Sequence, residues 1–192
     1  MKRIIIFLLL ILGIFSCNDP TKEIKKDLAE LKAALEEINK EYEPILDRVV
    51  EFHKEELNAD IMKRTTFVGD KESDEVIAKR EAFKKEIFEK TKNEIDSMKF
   101  PKTEKVKKII EKLEKKVSKR KVNEKNIMEI SYYNGLSAIM SEVKVRIERI
   151  DNFKNNIIDY NSLDRISSGM AQLDYRLDNT ISQIIELENF PI

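Results

Sequence analysis

The 192 residues hold one cysteine, one histidine, no tryptophan, four glycines and four prolines. A lone cysteine cannot close a disulfide within the chain, so packing alone must hold the fold. With Cys17 and His53 the only residues of their kinds, a zinc site or a Cys–His pair is excluded by count. His53 follows Phe52 in a charged stretch and reads as a surface residue. Four glycines leave little for a loop that must approach a phosphate closely. No Gly-rich phosphate loop, nucleophile elbow or His-Glu-x-x-His is present. Asp and Glu are plentiful, but on helices they read as solvated faces. We therefore expect no catalytic residue, no metal ligand and no enzyme. Period-two runs of β-branched residues are missing too, which excludes sheets, and no internal repeat is evident.

What is present begins at the N-terminus. Lys2 and Arg3 precede an apolar run from Ile4 to Phe15, broken only by Gly13. Ser16 and Cys17 follow, then polar Asn18-Asp19 and Pro20. This charged, apolar, small-residue order is that of a secretory signal. About a dozen apolar residues are too few for a membrane span of ~20. Ile14-Phe15-Ser16-Cys17 resembles a bacterial lipobox, with the small residue just before the cysteine. Phe15 departs from the stricter motif, and the relaxed form resembles that of spirochaetal lipoproteins. The resemblance implies a signal peptide over 1–16 and a covalent diacylglycerol and N-acyl lipid on Cys17, with no other cofactor. Two or three acyl chains anchor firmly where one gives only marginal binding. Residues 17–20 are then a very short tether, and 21–192 one helical domain.

Charged residues make up 38% of the chain, and Leu, Ile, Lys and Glu dominate, a composition of long helices. Ile24, Leu28, Leu31, Leu35, Ile38, Tyr42, Ile45, Val49 and Phe52 recur by alternating steps of four and three, a heptad seam. Asp19 and Pro20 suit an N-cap and first turn. Pro44 sits within the seam without changing its phase, which predicts a kink and not a break. Lys63 to Asp74 reads as a polar loop. A second helix should begin at Ser73 or Asp74, with a less pure stripe of Ile77, Arg80, Phe83, Ile87, Thr91, Ile95 and Met98, and end at Phe100-Pro101. Pro101 can open a third, carrying Val106, Ile109, Ile110, Leu113 and Val117. Asn123 is a cap for a fourth, with a stripe from Ile127 and Ile130 through Leu136, Ile139, Val143, Ile147, Ile150 and Phe153 to Ile157. Gly135 inside it costs ~1 kcal/mol against alanine and suggests a close helix contact. Asn161 or Ser162 caps a fifth, with Leu163, Ile166, Met170, Leu173, Leu177, Ile181, Ile184 and Leu187. The expectation is an all-α, elongated bundle of about five helices with a long, Pro-kinked first helix.

Lys plus Arg equals Asp plus Glu at 36 each, so the total charge points to no partner. The distribution is uneven. Lys99 to Lys125 holds twelve Lys or Arg against four Glu, while Cys17 to Asp60 and the tail from Asp159 are acidic. Lys115, Lys116, Lys119, Arg120 and Lys121 form the densest part. Three readings compete: packing against acidic helices of the same bundle, contact with an anionic partner such as a glycosaminoglycan, a host protein or lipid headgroups, and nucleic acid. No aromatic interleaves the run for base stacking, so nucleic acid is the weakest.

The lipobox, the Lys/Ile/Asn/Glu-rich composition and the helical mature chain together resemble the helical lipoproteins of Borrelia-type spirochaetes. That resemblance implies a non-enzymatic, membrane-anchored protein, in the outer membrane, whose bundle binds a host or vector macromolecule at the cell surface. The alternative is a periplasmic structural or adaptor lipoprotein that pairs through its heptad helix. Helix signals begin within a few residues of Cys17, leaving no long tether, and this raises the periplasmic reading. A homo-oligomer stays open.

Overall fold

The computed structural model describes residues 20–64, 74–123, 125–168 and 176–191, with the side chains of 59–64 left aside. Cys17, its signal and tether, the core of the 63–74 loop, and the stripe residues Met170 and Leu173 lie outside the described residues. Among the described residues the chain is all-α, with seven helices and no strand. They are α1 (Pro20–Arg64), α2 (Asp74–Ser97), α3 (Glu104–Ser118), α4 (Ile127–Asp151), α5 (Phe153–Asn156), α6 (Tyr160–Ser167) and α7 (Asp178–Glu188).

All nine seam residues of α1, from Ile24 to Phe52, are buried. The heptad spacing brings them to one face, and that face is covered within the chain. Pro44 is exposed, and the helix runs unbroken through it. The chain divides into two compact units, one of Met1–Leu35, Glu104–Glu142 and Thr180–Ile192, the other of Glu36–Thr103 and Val143–Asn179.

The first unit holds the start of α1 with α3, the front of α4, and α7. Val106, Ile109, Ile110 and Leu113 of α3 are buried, as the sequence stripe predicts. Tyr132 meets Tyr133 edge-on at 5.3 Å between ring centres and lies 6.0 Å from Phe190. Burial, with the neighbouring Tyr133, pushes the Tyr132 phenol up to about 12. Gly135 does mark a close contact: a Cβ there would stand 3.3 Å from Cδ1 of Leu187 on α7. Lys25 Nζ donates to the Phe190 carbonyl at 3.0 Å, and Lys32 pairs with Glu188 at 2.9 Å, tying α1 to α7 and the residues after it.

The second unit holds the rest of α1 with α2, the back of α4, α5 and α6. Tyr42 packs edge-on to Phe153 at 5.7 Å, and Phe100 lies 6.1 Å from the same ring. Arg48 is buried on α1 yet charged. Its Nε donates to Glu94, an Nη donates to Thr91 Oγ1 at 2.6 Å, and Glu55 stands 3.7 Å away.

Several boundaries differ from the sequence expectation. Pro101 stands three residues before α3 rather than opening it. The cap of α4 is Asn126, whose Oδ1 accepts from Glu129 N at 3.3 Å; Asn123 instead closes a local turn with Lys125 N. Ile127 and Ile77, expected in stripes, are exposed because each lies in a first turn. Where a fifth helix is expected, the described residues hold two, α6 and α7. Asp159 caps α6 with a reciprocal Ser162 box, in place of Asn161 or Ser162. The hydroxyls of Ser167 and Ser168 donate back to the carbonyls of Asp164 and Arg165, and Ser168 turns extended, which ends α6.

Candidate anion-binding site

The apolar stripe of α3 decides which of its lysines turn inward. Lys112 and Lys116 are one turn apart, flanking Leu113, and both reach α1. Lys112 Nζ stands 2.7 Å from Asp27 Oδ1 and 3.9 Å from Glu30. Lys116 Nζ stands 2.8 Å from Asp27 Oδ2 and 3.1 Å from Glu23. Asp27 is only 1% exposed. Burial alone would raise its pKa, but the two ammonium groups outweigh that and hold the carboxyl below its ordinary value. Lys116 is raised by the same carboxylates, against its own desolvation.

Arg120 is also occupied. It pairs with Glu129 at 3.1 Å and lies over the Tyr133 ring at 5.1 Å. Glu129 reaches back with its other oxygen to accept from Asn123 N at 3.3 Å. The linker after α3 is thereby folded onto the start of α4.

Lys115, Lys119 and Lys121 are different. All three are exposed and make no ion pair among the described residues. Lys115 sits in the last turn of α3, where the helix dipole favours a cation. Lys119 and Lys121 lie beyond the helix end at Ser118. Of the three, Lys119 lines a cleft of about 280 Å³, together with Glu23, Ile24, Lys116 and Arg120. Its wall carries three cations and one carboxylate over the apolar floor of Ile24.

The structure thus splits the five-residue cluster that charge counting singles out. Lys116 and Arg120 are internal electrostatics, as the packing reading expects. Lys115, Lys119 and Lys121 remain available to solvent. Lys112, outside that cluster, is missed because only the position of Asp27 on the facing helix identifies it. No family model, curated protein or solved structure matches this chain. No helix among the described residues is long and apolar enough to cross a membrane. What the lysines can do chemically is to offer point charges to a flexible anion. They lack the bidentate fork of arginine that would select one geometry.

Proposed function

We propose that this chain is a bacterial envelope lipoprotein of the spirochaetal helical type. Acylated Cys17 holds it to the membrane, and a non-enzymatic bundle presents cations to a polyanionic host or vector macromolecule at the cell surface. The observation that carries the binding role is the set of exposed lysines, 115, 119 and 121, which make no ion pair among the described residues and stand beside cations already neutralised from within. Internal ion pairs engage Lys112, Lys116 and Arg120; the helix dipole accounts for Lys115 alone of the other three. A sulfated glycosaminoglycan suits them, since closely spaced exposed lysines can follow a chain of charge. The adaptor alternative, pairing through the heptad helix, is weakened by the same fold. All nine seam residues are buried within the chain, so none is left to offer a second helix.

The test is heparin retention. Wild type should be retained in low salt and released near physiological ionic strength, because exposed charges are screened there. Lys115→Glu, Lys119→Glu and Lys121→Glu together should keep the helical circular dichroism and abolish retention. If wild type is not retained, or the triple variant is retained equally, the surface has no such role. The anchor is tested separately by Cys17→Ala, which should leave the chain unprocessed or soluble. Quantitative partition of that variant into detergent from native membranes would refute acylation.

A further inference from the structure

A second constellation lies in the unit formed by residues 36–103 and 143–179, apart from the lysines. His53 and Glu56 are three residues apart on α1, and Asp164 comes from α6. One donor atom from each lies within 4.8 Å of the other two. His53 Nδ1 stands 3.9 Å from Glu56 Oε2, too far for a hydrogen bond. That nitrogen is shut off from solvent and has no hydrogen-bond partner. Tyr160 donates its phenolic proton to the other oxygen of Glu56, Oε1. The Asp164 carboxyl stands alongside Glu56 within hydrogen-bonding reach.

Two carboxylates stand together here, joined by a hydrogen bond, beside an imidazole nitrogen that has no hydrogen-bond partner among the described residues. We propose that His53, Glu56 and Asp164 form a binding site for a divalent transition-metal cation of the zinc class, which joins α6 to α1. The donor set selects the metal. Calcium takes six to eight oxygens, and magnesium keeps most of its water, so neither suits an imidazole with two carboxylates. Zinc accepts one nitrogen and two oxygens at ~2.0–2.2 Å, and a tetrahedral set at that radius has edges of roughly 3.4 Å. The His53–Glu56 separation of 3.9 Å lies near that value, and the three donors, all within 4.8 Å, would have to draw together to reach it. Three protein donors leave a fourth position for water. Tyr160 orients Glu56 from outside the set, as a supporting hydrogen bond does in metal sites.

Counting histidines could not find this site. Excluding any zinc site by that count goes too far, because two of the three donors here are carboxylates, one of them 108 positions away from Glu56 along the chain.

The experiment uses the full chain in detergent, without a polyhistidine tag, stripped with chelator and titrated with Zn²⁺ alone. One Zn²⁺ per chain should bind, with a rise of several degrees in melting temperature at saturation. Co²⁺ in its place should give a visible absorption band. His53→Ala and Asp164→Asn should each weaken Zn²⁺ binding at least tenfold. Glu56→Gln should do the same while leaving the metal-free melting temperature unchanged or higher, since it removes a like charge without removing volume. If Zn²⁺ gives no stoichiometric binding, the cluster is held by a shared proton and the proposal fails. If the three variants bind as wild type does, the metal sits on surface carboxylates and the proposal fails equally.

Discussion

Replacing Asp27 with asparagine should destabilise the fold in a way that identifies its cause. The side chain is 1% exposed and neutralises two lysines, at 2.7 and 2.8 Å. Removing one partner of a fully buried pair costs about 3–5 kcal/mol. Here the lysines are not fully buried: Lys112 is 51% exposed and Lys116 27%. Once released, both can take up water, and screening already weakens them, so the loss should fall to about 2 kcal/mol. For a domain of this size that is a drop of roughly 4–8 °C in melting temperature. The pH dependence fixes the mechanism. The folded carboxyl titrates below its unfolded value of 3.8, so its contribution is complete above that value. It is lost as pH falls through the lower, folded pKa. The gap between wild type and Asp27→Asn should therefore be constant from pH 7 to about 5, then close on further acidification. Melts followed by circular dichroism at pH 7, 5, 4 and 2.5 measure it. A variant that melts with wild type at pH 7, or a gap that persists undiminished at pH 2.5, would refute the ion-pair account.

Two further substitutions probe the packing. Arg48→Lys keeps the charge but loses the fork that serves Glu94 and Thr91 together, and should cost about 2–3 kcal/mol in urea unfolding; no change in the midpoint would show that the surrounding carboxylates need only a point charge. Gly135→Ala should be within about 1 kcal/mol of wild type, because the gain in helix propensity is set against a 3.3 Å contact with the end of a flexible leucine. Gly135→Leu should be clearly destabilising in the same melts, by about 1–3 kcal/mol, since overpacking cannot be absorbed there.

The sequence shows the helices more readily than their ends. The α1 seam is legible because nine residues repeat one spacing, and spacing is a local property. The break between α6 and α7 is not, because the stripe from Leu163 to Leu187 keeps its period across it. Among the described residues the back-bonding of Ser167 and Ser168 accompanies the end of α6, and serines do this in one context and not in another. Tyr132 and Tyr133, adjacent in sequence, are both buried although no single stripe includes both. Asp27 and Arg48 read as solvated charges until a facing helix supplies their partners. The same limit governs the lysines. Charge density locates the cluster, but whether Lys116 turns inward while Lys115 does not depends on where α3 lies on α1.

The tie between α1 and α7 has a consequence in time. Lys25 and Lys32 bond to Phe190 and Glu188, partners 165 and 156 positions later in the chain. At synthesis rates of about 5–20 residues per second, those partners follow α1 by roughly 8–30 s. Throughout that interval the start of α1 is made but its native neighbours on α7 are not. α3, whose Lys112 and Lys116 reach Asp27, is made sooner, but the contacts of α1 with α7 stay unmade until the end. The unit containing Lys25 and Phe190 is therefore completed only after the chain has been delivered through residue 190. The ties of Lys25 and Lys32 to the C-terminal residues are thus among the last contacts of α1 that synthesis makes possible.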